Sequence, residues 1–145
     1  MAKPSVADRV AIEDLYADYA WALDTGDLGA FFALFTDDCV FGDTAGNRYK
    51  GHAETRKYVE GLVKSAPFKG RMHLLTAMRF DQQGERIGVK AYWHVAKWEK
   101  AANVKKLETM GWSDDAFVKV NGQWKFAQRL VHHWNDTDLP WAGPR

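Results

Sequence analysis

The sequence predicts an α+β fold: N-terminal helices packed in the concave face of a curved, mostly antiparallel sheet, forming a cone-shaped α+β barrel. Three observations lead there. Apolar residues recur at helical spacing through the first part of the chain. From Met72 onward the period changes to two and holds over long segments. Asn121-Gly122, between two such segments, is a strong tight-hairpin signal. Helices first and long strands after argue against a doubly wound parallel sheet.

The first helix is read from Ser5 to Leu23. Ser5 caps it with Asp8 three positions on, and Val6, Val10, Leu15, Tyr19, Ala20 and Leu23 form its apolar stripe. Thr25-Gly26-Asp27 ends it. Asp27 caps a second, short helix, Leu28 to Leu34, which Thr36-Asp37-Asp38 closes. Cys39 to Asp43 is a strand, Thr44 to Asn47 a turn, and Arg48 to Lys50 a short return strand. A third helix runs from His52 to about Ser65, with Ala53, Tyr58, Val59 and Leu62 as its apolar positions. Pro67 and Gly70 mark the loop after it.

Met72 to Phe80 is then a strand. In the next, Ile87 to Trp98, Ile87, Val89, Ala91, Trp93 and Val95 share one face. Leu107 to Val120 is a third. Gln123 to Trp134 is a fourth, with Trp124, Phe126, Gln128, Leu130, His132 and Trp134 on one face. Residues from Asn135 onward have no period. Alternation along these strands leaves room for a pocket between sheet and helices.

Length bounds the chain to a single domain, residues 1–145. Lys plus Arg number 20 and Asp plus Glu 19, so no basic excess marks a nucleic-acid partner. Seven Trp, eight Phe and five Tyr supply flat apolar surface for a pocket or a subunit contact. Cys39 is the only cysteine, which fits a reducing compartment. The first residues lack a signal peptide's apolar core, and no apolar run has membrane-spanning length. The expectation is a cytoplasmic protein.

Several fragments, in order, carry a family resemblance. They are Ile12-x-x-Leu15-x-x-x-Tyr19-x-x-x-Leu23-Asp24-x-Gly26-Asp27, Leu34-Phe35-Thr36-Asp37-Asp38, Gly51 opening a helix, and His73 on a strand. Gly111-x-x-x-Asp115-x-Phe117 and Gly122-x-Trp124-Lys125-Phe126-Ala127-x-Arg129 complete the set. Together they resemble the SnoaL-like branch of the nuclear transport factor 2-like superfamily. Within it the chain is similar to scytalone dehydratase and the bile acid dehydratases. The resemblance implies an Asp–His pair made of Asp24 and His73, with Tyr19 at the position of a further tyrosine of the bile acid enzymes. It also implies a homo-oligomer, a trimer in preference to a dimer. The chain departs from scytalone dehydratase in its substrate contacts. Leu23 stands where a tyrosine is found, a second tyrosine falls near Asp43, and a second histidine near Lys97. A serine and an asparagine fall near Gly111 and Ser113.

The chemistry follows from residue types. Histidine takes and gives protons near neutral pH. A carboxylate on one ring nitrogen fixes the tautomer and leaves the other free to act as base. Asp24 and His73 are the candidates; the plainer readings are that Asp24 satisfies turn amides and that His73 is a core histidine. Tyr19 is the candidate oxyanion donor, with Tyr16 its rival, and both are also ordinary core aromatics. The candidate substrate contacts are Tyr16, His94, Trp112, Ser113 and Arg129. His94 could equally be a surface residue, and Arg129 could serve only to pair with Asp115. Trp112, Trp134 and Trp141 are candidates for pocket wall or lid, with core or interface packing as the plainer role. His132 and His133 are adjacent on a strand and face opposite ways, and no zinc-binding motif occurs, so neither metal nor cofactor is expected.

The reading is a cofactor-free lyase of dehydratase type. Its substrate is a small hydrophobic polycyclic or aromatic compound in a pocket rich in Trp, Phe and Met. The alternatives are an isomerase, a cyclase or a ligand-binding protein using the same pocket, or a non-catalytic subunit like the β subunit of ring-hydroxylating dioxygenases.

Overall fold

The computed structural model describes residues 2–135. Helix α1 (Val6–Thr25), helix α2 (Leu28–Ala33), strand β1 (Phe35–Gly42), strand β2 (Arg48–Lys50) and helix α3 (Gly51–Lys64) come first. A short 3-10 turn, Ala66–Phe68, leads into strands β3 (Arg71–Gln83), β4 (Arg86–Glu99), β5 (Val104–Val120) and β6 (Gln123–His133). The strands form one six-stranded sheet in the order β2-β1-β6-β5-β4-β3. Every pairing is antiparallel except that of β1 with β6. The three helices pack against this curved, mixed sheet, so the class is the α+β anticipated.

Local chemistry sets most boundaries. Ser5 caps α1, accepting from the Asp8 amide at 3.1 Å. Gly26 ends the helix in the left-handed region, at φ 72°. Asp27 caps α2 through the Ala30 amide at 2.9 Å. The Asn121-Gly122 turn places both residues at positive φ, as a tight hairpin requires.

Three expectations need correction. Val6 and Val10 do not belong to the buried stripe of α1; they are 75% and 51% exposed. The buried line is Ile12, Tyr16, Tyr19 and Leu23, and at about 100° per residue Val6 and Val10 fall on the far side of it. Thr36 to Asp38 do not close α2 but lie inside β1, whose register against β6 shifts between Phe35 and Val40. Finally, the residues read as one face of β6 are split between two. Phe117 pairs with Phe126 while the preceding Ala116 pairs with Gln128, so Ala127 is an extra, bulged residue. Trp124 and Phe126 point inward before it; Arg129, Val131 and His133 do so after it.

Two further bulges shape the sheet. In β3, Thr76 pairs with Tyr92 but Arg79 with Lys90, and Ala77 takes a φ of 52°. In β5, Thr109 pairs with Val95 and Leu107 with Ala96, leaving Glu108 as the extra residue. The core is aromatic. Phe35 stacks between Phe31 and Phe126 at 4.9 and 5.0 Å, and Tyr16 meets the edges of Phe117 and Phe126. The opposite sheet face leaves Met72, Leu74, Tyr92 and Met110 exposed. Among the described residues no helix is long and apolar enough to cross a membrane.

Asp8 ties α1 to the sheet. Its carboxylate accepts from Ser5 Oγ and Trp124 Nε1, and pairs with Lys119 Nζ at 3.0 Å. The Ser5 hydrogen bond, then those of Trp124 and Lys119, lower its pKa from 3.8 to about 2. A depressed carboxyl stabilises the fold above its unfolded pKa and loses that contribution as pH falls through the folded one. Denaturation midpoints measured between pH 5 and pH 2 are therefore expected to drop in this window. Asp8→Asn should lower the midpoint at pH 5 and flatten the slope below it.

Candidate active site

The turn after α1 satisfies itself with backbone groups. The Gly26 amide returns to the Leu23 carbonyl and the Asp27 amide to that of Ala22. The Asp24 carboxylate is thus free of the turn and reaches β3, the edge strand of the sheet. There it accepts twice from one residue: the His73 amide donates to Oδ2 at 2.8 Å, and His73 Nδ1 lies 2.5 Å from Oδ1. An edge strand has backbone donors with no strand partner, and Asp24 covers one of them. A carboxylate at a helix C-terminus opposes the macrodipole by roughly 0.3–1 kcal/mol. The last turn of α1 has no basic residue to compensate, so the two His73 donors offset that cost.

An ionised carboxylate only accepts, so in the neutral imidazole the proton sits on Nδ1 and Nε2 keeps its lone pair. No hydrogen bond engages the His73 Nε2 among the described residues. The two side chains are 16% and 17% exposed, which shields the pair from bulk water. The Phe68 ring lies 5.8 Å from the imidazole.

His73 is part of the wall of a cavity of about 260 Å3 between the helices and the inner sheet face. Leu23, Phe41, Leu62, Leu75, Trp93, Val95 and Val131 form its apolar wall. Its polar groups are Tyr19, Thr44, Tyr58, Arg71, His73, Thr109, Arg129 and His133, and none of the wall residues described is a carboxylate. The Trp-, Phe- and Met-rich pocket expected from composition is therefore corrected. The described wall has one Trp, one Phe and no Met, because most of the aromatic residues fill the core beneath it.

Below the cavity lies a buried polar network. Asp115 Oδ2 accepts from Tyr16 Oη at 2.6 Å, Ser113 Oγ at 2.6 Å and Arg129 Nη1 at 2.7 Å. Burial pushes the Asp115 carboxyl up; Arg129 and the two hydroxyls pull against it. Burial likewise opposes the charge on Arg129, but Asp115 together with Tyr19 and Tyr16 outweighs it and the guanidinium pKa rises. Held in this way, Arg129 lies 4.3 Å over the Tyr19 ring. Burial raises the Tyr19 hydroxyl pKa, with Arg129 opposing, so the hydroxyl stays protonated and is a donor at neutral pH.

The structure therefore groups Asp24 with His73, and Tyr19 with Arg129, around one cavity. It separates the other candidates. Tyr16 and Ser113 are buried with their hydroxyls on Asp115, behind the wall. His94 does not reach the pocket: its neighbours Trp93 and Val95 point inward, so His94 points out, paired with Leu74 and Met110. Trp112 is also on the outer face, stacked on His132 at 4.3 Å, because Gly111 and Ser113 take the inward positions beside it. No side chain projects from Gly111, where one would meet the His132 carbonyl and the Trp93 ring, whose Nε1 donates to the Trp112 carbonyl at 3.0 Å. Asp43 holds the turn after β1 through Ala45, Asn47 and Tyr49. Trp141 lies outside the described residues. Sequence reasoning missed Tyr58, Arg71, Thr109 and His133 as wall residues. For His133 a signal existed: Phe126 and Arg129 can both face inward only if a residue between them is bulged, and that bulge turns His133 inward too.

The model of the SnoaL-like domain matches residues 4–130. No curated protein sequence is significantly similar to the chain. Aln2 from a Streptomyces species superposes with a TM-score of 0.83 at 19% identity, over 91% of this chain and 94% of that one. ActVI-ORFA from Streptomyces coelicolor gives 0.81 at 17% identity, over 90% and 98%. A provisionally named scytalone dehydratase from Novosphingobium aromaticivorans gives 0.77 at 24% identity, over 90% and 86%. At these identities the likeness is one of fold.

The buried pair makes a testable demand. Asp115→Asn leaves the Arg129 charge unpaired in the interior, which costs about 3–5 kcal/mol. Urea denaturation should show a loss of that size, and the variant should also lose the ordered placement of Arg129 over Tyr19.

Proposed function

Since the chain belongs to the SnoaL-like domain family, we propose that it is a lyase of dehydratase type, acting on a small ring compound. The observation that carries the reading is that His73, a wall residue of the cavity, is bonded to Asp24 through Nδ1 and has no other ring hydrogen bond among the described residues. In the proposed reaction Nε2 removes a proton from a carbon next to a carbonyl. The electron pair moves onto the carbonyl oxygen, and the Tyr19 hydroxyl donates to that oxyanion. As the carbonyl re-forms, the carbon–oxygen bond to a β-hydroxyl breaks. The imidazolium returns its proton to the departing oxygen, giving water and a conjugated double bond. Asp24 stabilises the imidazolium between the two transfers.

Size narrows the substrate. A cavity of about 260 Å3 lies below the range of roughly 300–1,000 Å3 common for drug-sized ligands, so one or two rings fit better than a steroid. Isomerisation and cyclisation need the same base and oxyanion donor, and the neighbour ActVI-ORFA shares the fold without fixing which of them applies. The exposed apolar outer face around Met72, Leu74, Tyr92 and Met110 supports a homo-oligomer, proposed as a trimer in the cytoplasm.

The test is turnover of β-hydroxy ketones on one or two rings, followed by the absorbance of the conjugated product. His73→Ala should lower kcat by roughly 10²–10⁴-fold. Tyr19→Phe should lower it roughly 10²-fold or more, with little change in KM. Turnover unchanged in His73→Ala would refute the mechanism and return the non-catalytic subunit reading.

A further inference from the structure

The charges around the cavity are arranged unevenly. Its wall presents two guanidinium groups, Arg71 and Arg129, while the matching carboxylates stand behind it. Arg129 is matched one to one by Asp115 in the buried network. Arg71 is not. Its Nε donates to Glu108 Oε2 at 2.6 Å, but the other Glu108 oxygen is 3.3 Å from Lys97 Nζ. One carboxylate serves two cations, and all three side chains are at most 22% exposed. Burial makes Glu108 harder to ionise, and Arg71 and Lys97, facing each other across β3 and β4, together more than offset it by hydrogen bonding and charge. They then leave a surplus positive charge at this end. The extra residue in β5 is Glu108 itself, so a bulge aims its carboxylate at Arg71.

This geometry is that of an anion subsite. Nε is taken by Glu108, while the terminal nitrogens of Arg71 have no hydrogen bond among the described residues. A guanidinium in this state offers a paired donor edge matched to a carboxylate. Arg71 and His73 stand two residues apart on one face of β3, hence roughly 7 Å apart along the strand. Apolar Leu62, Leu75 and Val95 leave room between for a ring.

We propose that the natural ligand is a carboxylic acid on one or two rings, its carboxylate bound by Arg71 and its reactive carbon at His73. The position of the reacting carbon rests on the lyase reading; the acid subsite does not. It places the enzyme after a reaction that delivers an ionised hydroxy-keto acid rather than its ester or amide.

The probes are 2-naphthoate and 2-naphthamide, equal in shape and different in charge, titrated calorimetrically into the full chain at neutral pH. The wild type should bind the acid about tenfold or more tightly than the amide. Arg71→Gln should bring the ratio near one while the amide still binds, which reports that the cavity is intact. Glu108→Gln should move the other way, tightening the acid alone. His73→Ala should keep the acid preference, so a failed base and a failed subsite give different results. Equal affinity for the two probes, binding of neither at millimolar concentration, or a preference that survives Arg71→Gln would overturn the proposal.

Discussion

One carboxylate joining a helix end to an edge strand organises this protein. Asp24 accepts from both the backbone and the ring of His73, so a single residue on β3 is held at two points. The amide fixes where the strand lies against α1. The ring nitrogen fixes how the imidazole turns. Neither bond alone would do both, since a ring held only by its own rotamer turns about χ1 and χ2 at modest cost. The sum also removes three local penalties at once: an open strand-edge donor, a carboxylate at the wrong end of a helix dipole, and a ring N–H in a largely buried setting.

Around this joint the sheet is tuned by irregularities rather than by its regular pleat. Extra residues in β3, β5 and β6 change which side chains face inward as each strand nears the cavity. Ala127 is the most consequential. It lets β6 contribute Phe126 to the core and Arg129, Val131 and His133 to the wall. The ion pair this buries, Arg129 with Asp115, is of a kind that adds little net stability in general, because desolvation consumes most of the attraction. Its value is positional: it holds a guanidinium over Tyr19 and gives a floor that cannot slide.

Much of the fold was legible because β4 obeys its period without interruption. Ile87, Val89, Ala91, Trp93 and Val95 are all buried, and one such strand beside an Asn-Gly hairpin is enough to place an antiparallel sheet. Capping residues such as Ser5 and Asp27 were legible for a related reason: their effect is local. The failures share the opposite cause. Val6 and Val10 are apolar, and nothing near them in sequence says that the sheet ends before it can cover them. A bulge leaves alternation intact on either side and only shifts its phase, so His133 and the outer part of β6 could not be assigned from period two alone, whereas His94, on the uninterrupted β4, falls opposite the buried face by simple alternation. The meeting of residues 24 and 73 has no local signature, and only the family pattern pointed to it. The Arg71, Lys97 and Glu108 cluster joins three strands and was invisible for the same reason.

Most depends on the state of the His73 ring. In protein carrying 15N-labelled histidine, long-range 1H–15N spectra of the neutral imidazole distinguish the two tautomers directly. The expected spectrum has a proton on Nδ1 and an Nε2 resonance of the unprotonated type, and Asp24→Asn should lose that pattern. A protonated Nε2 with a bare Nδ1, or a ring that exchanges freely between both forms in the wild type, would contradict the proposed role of the pair.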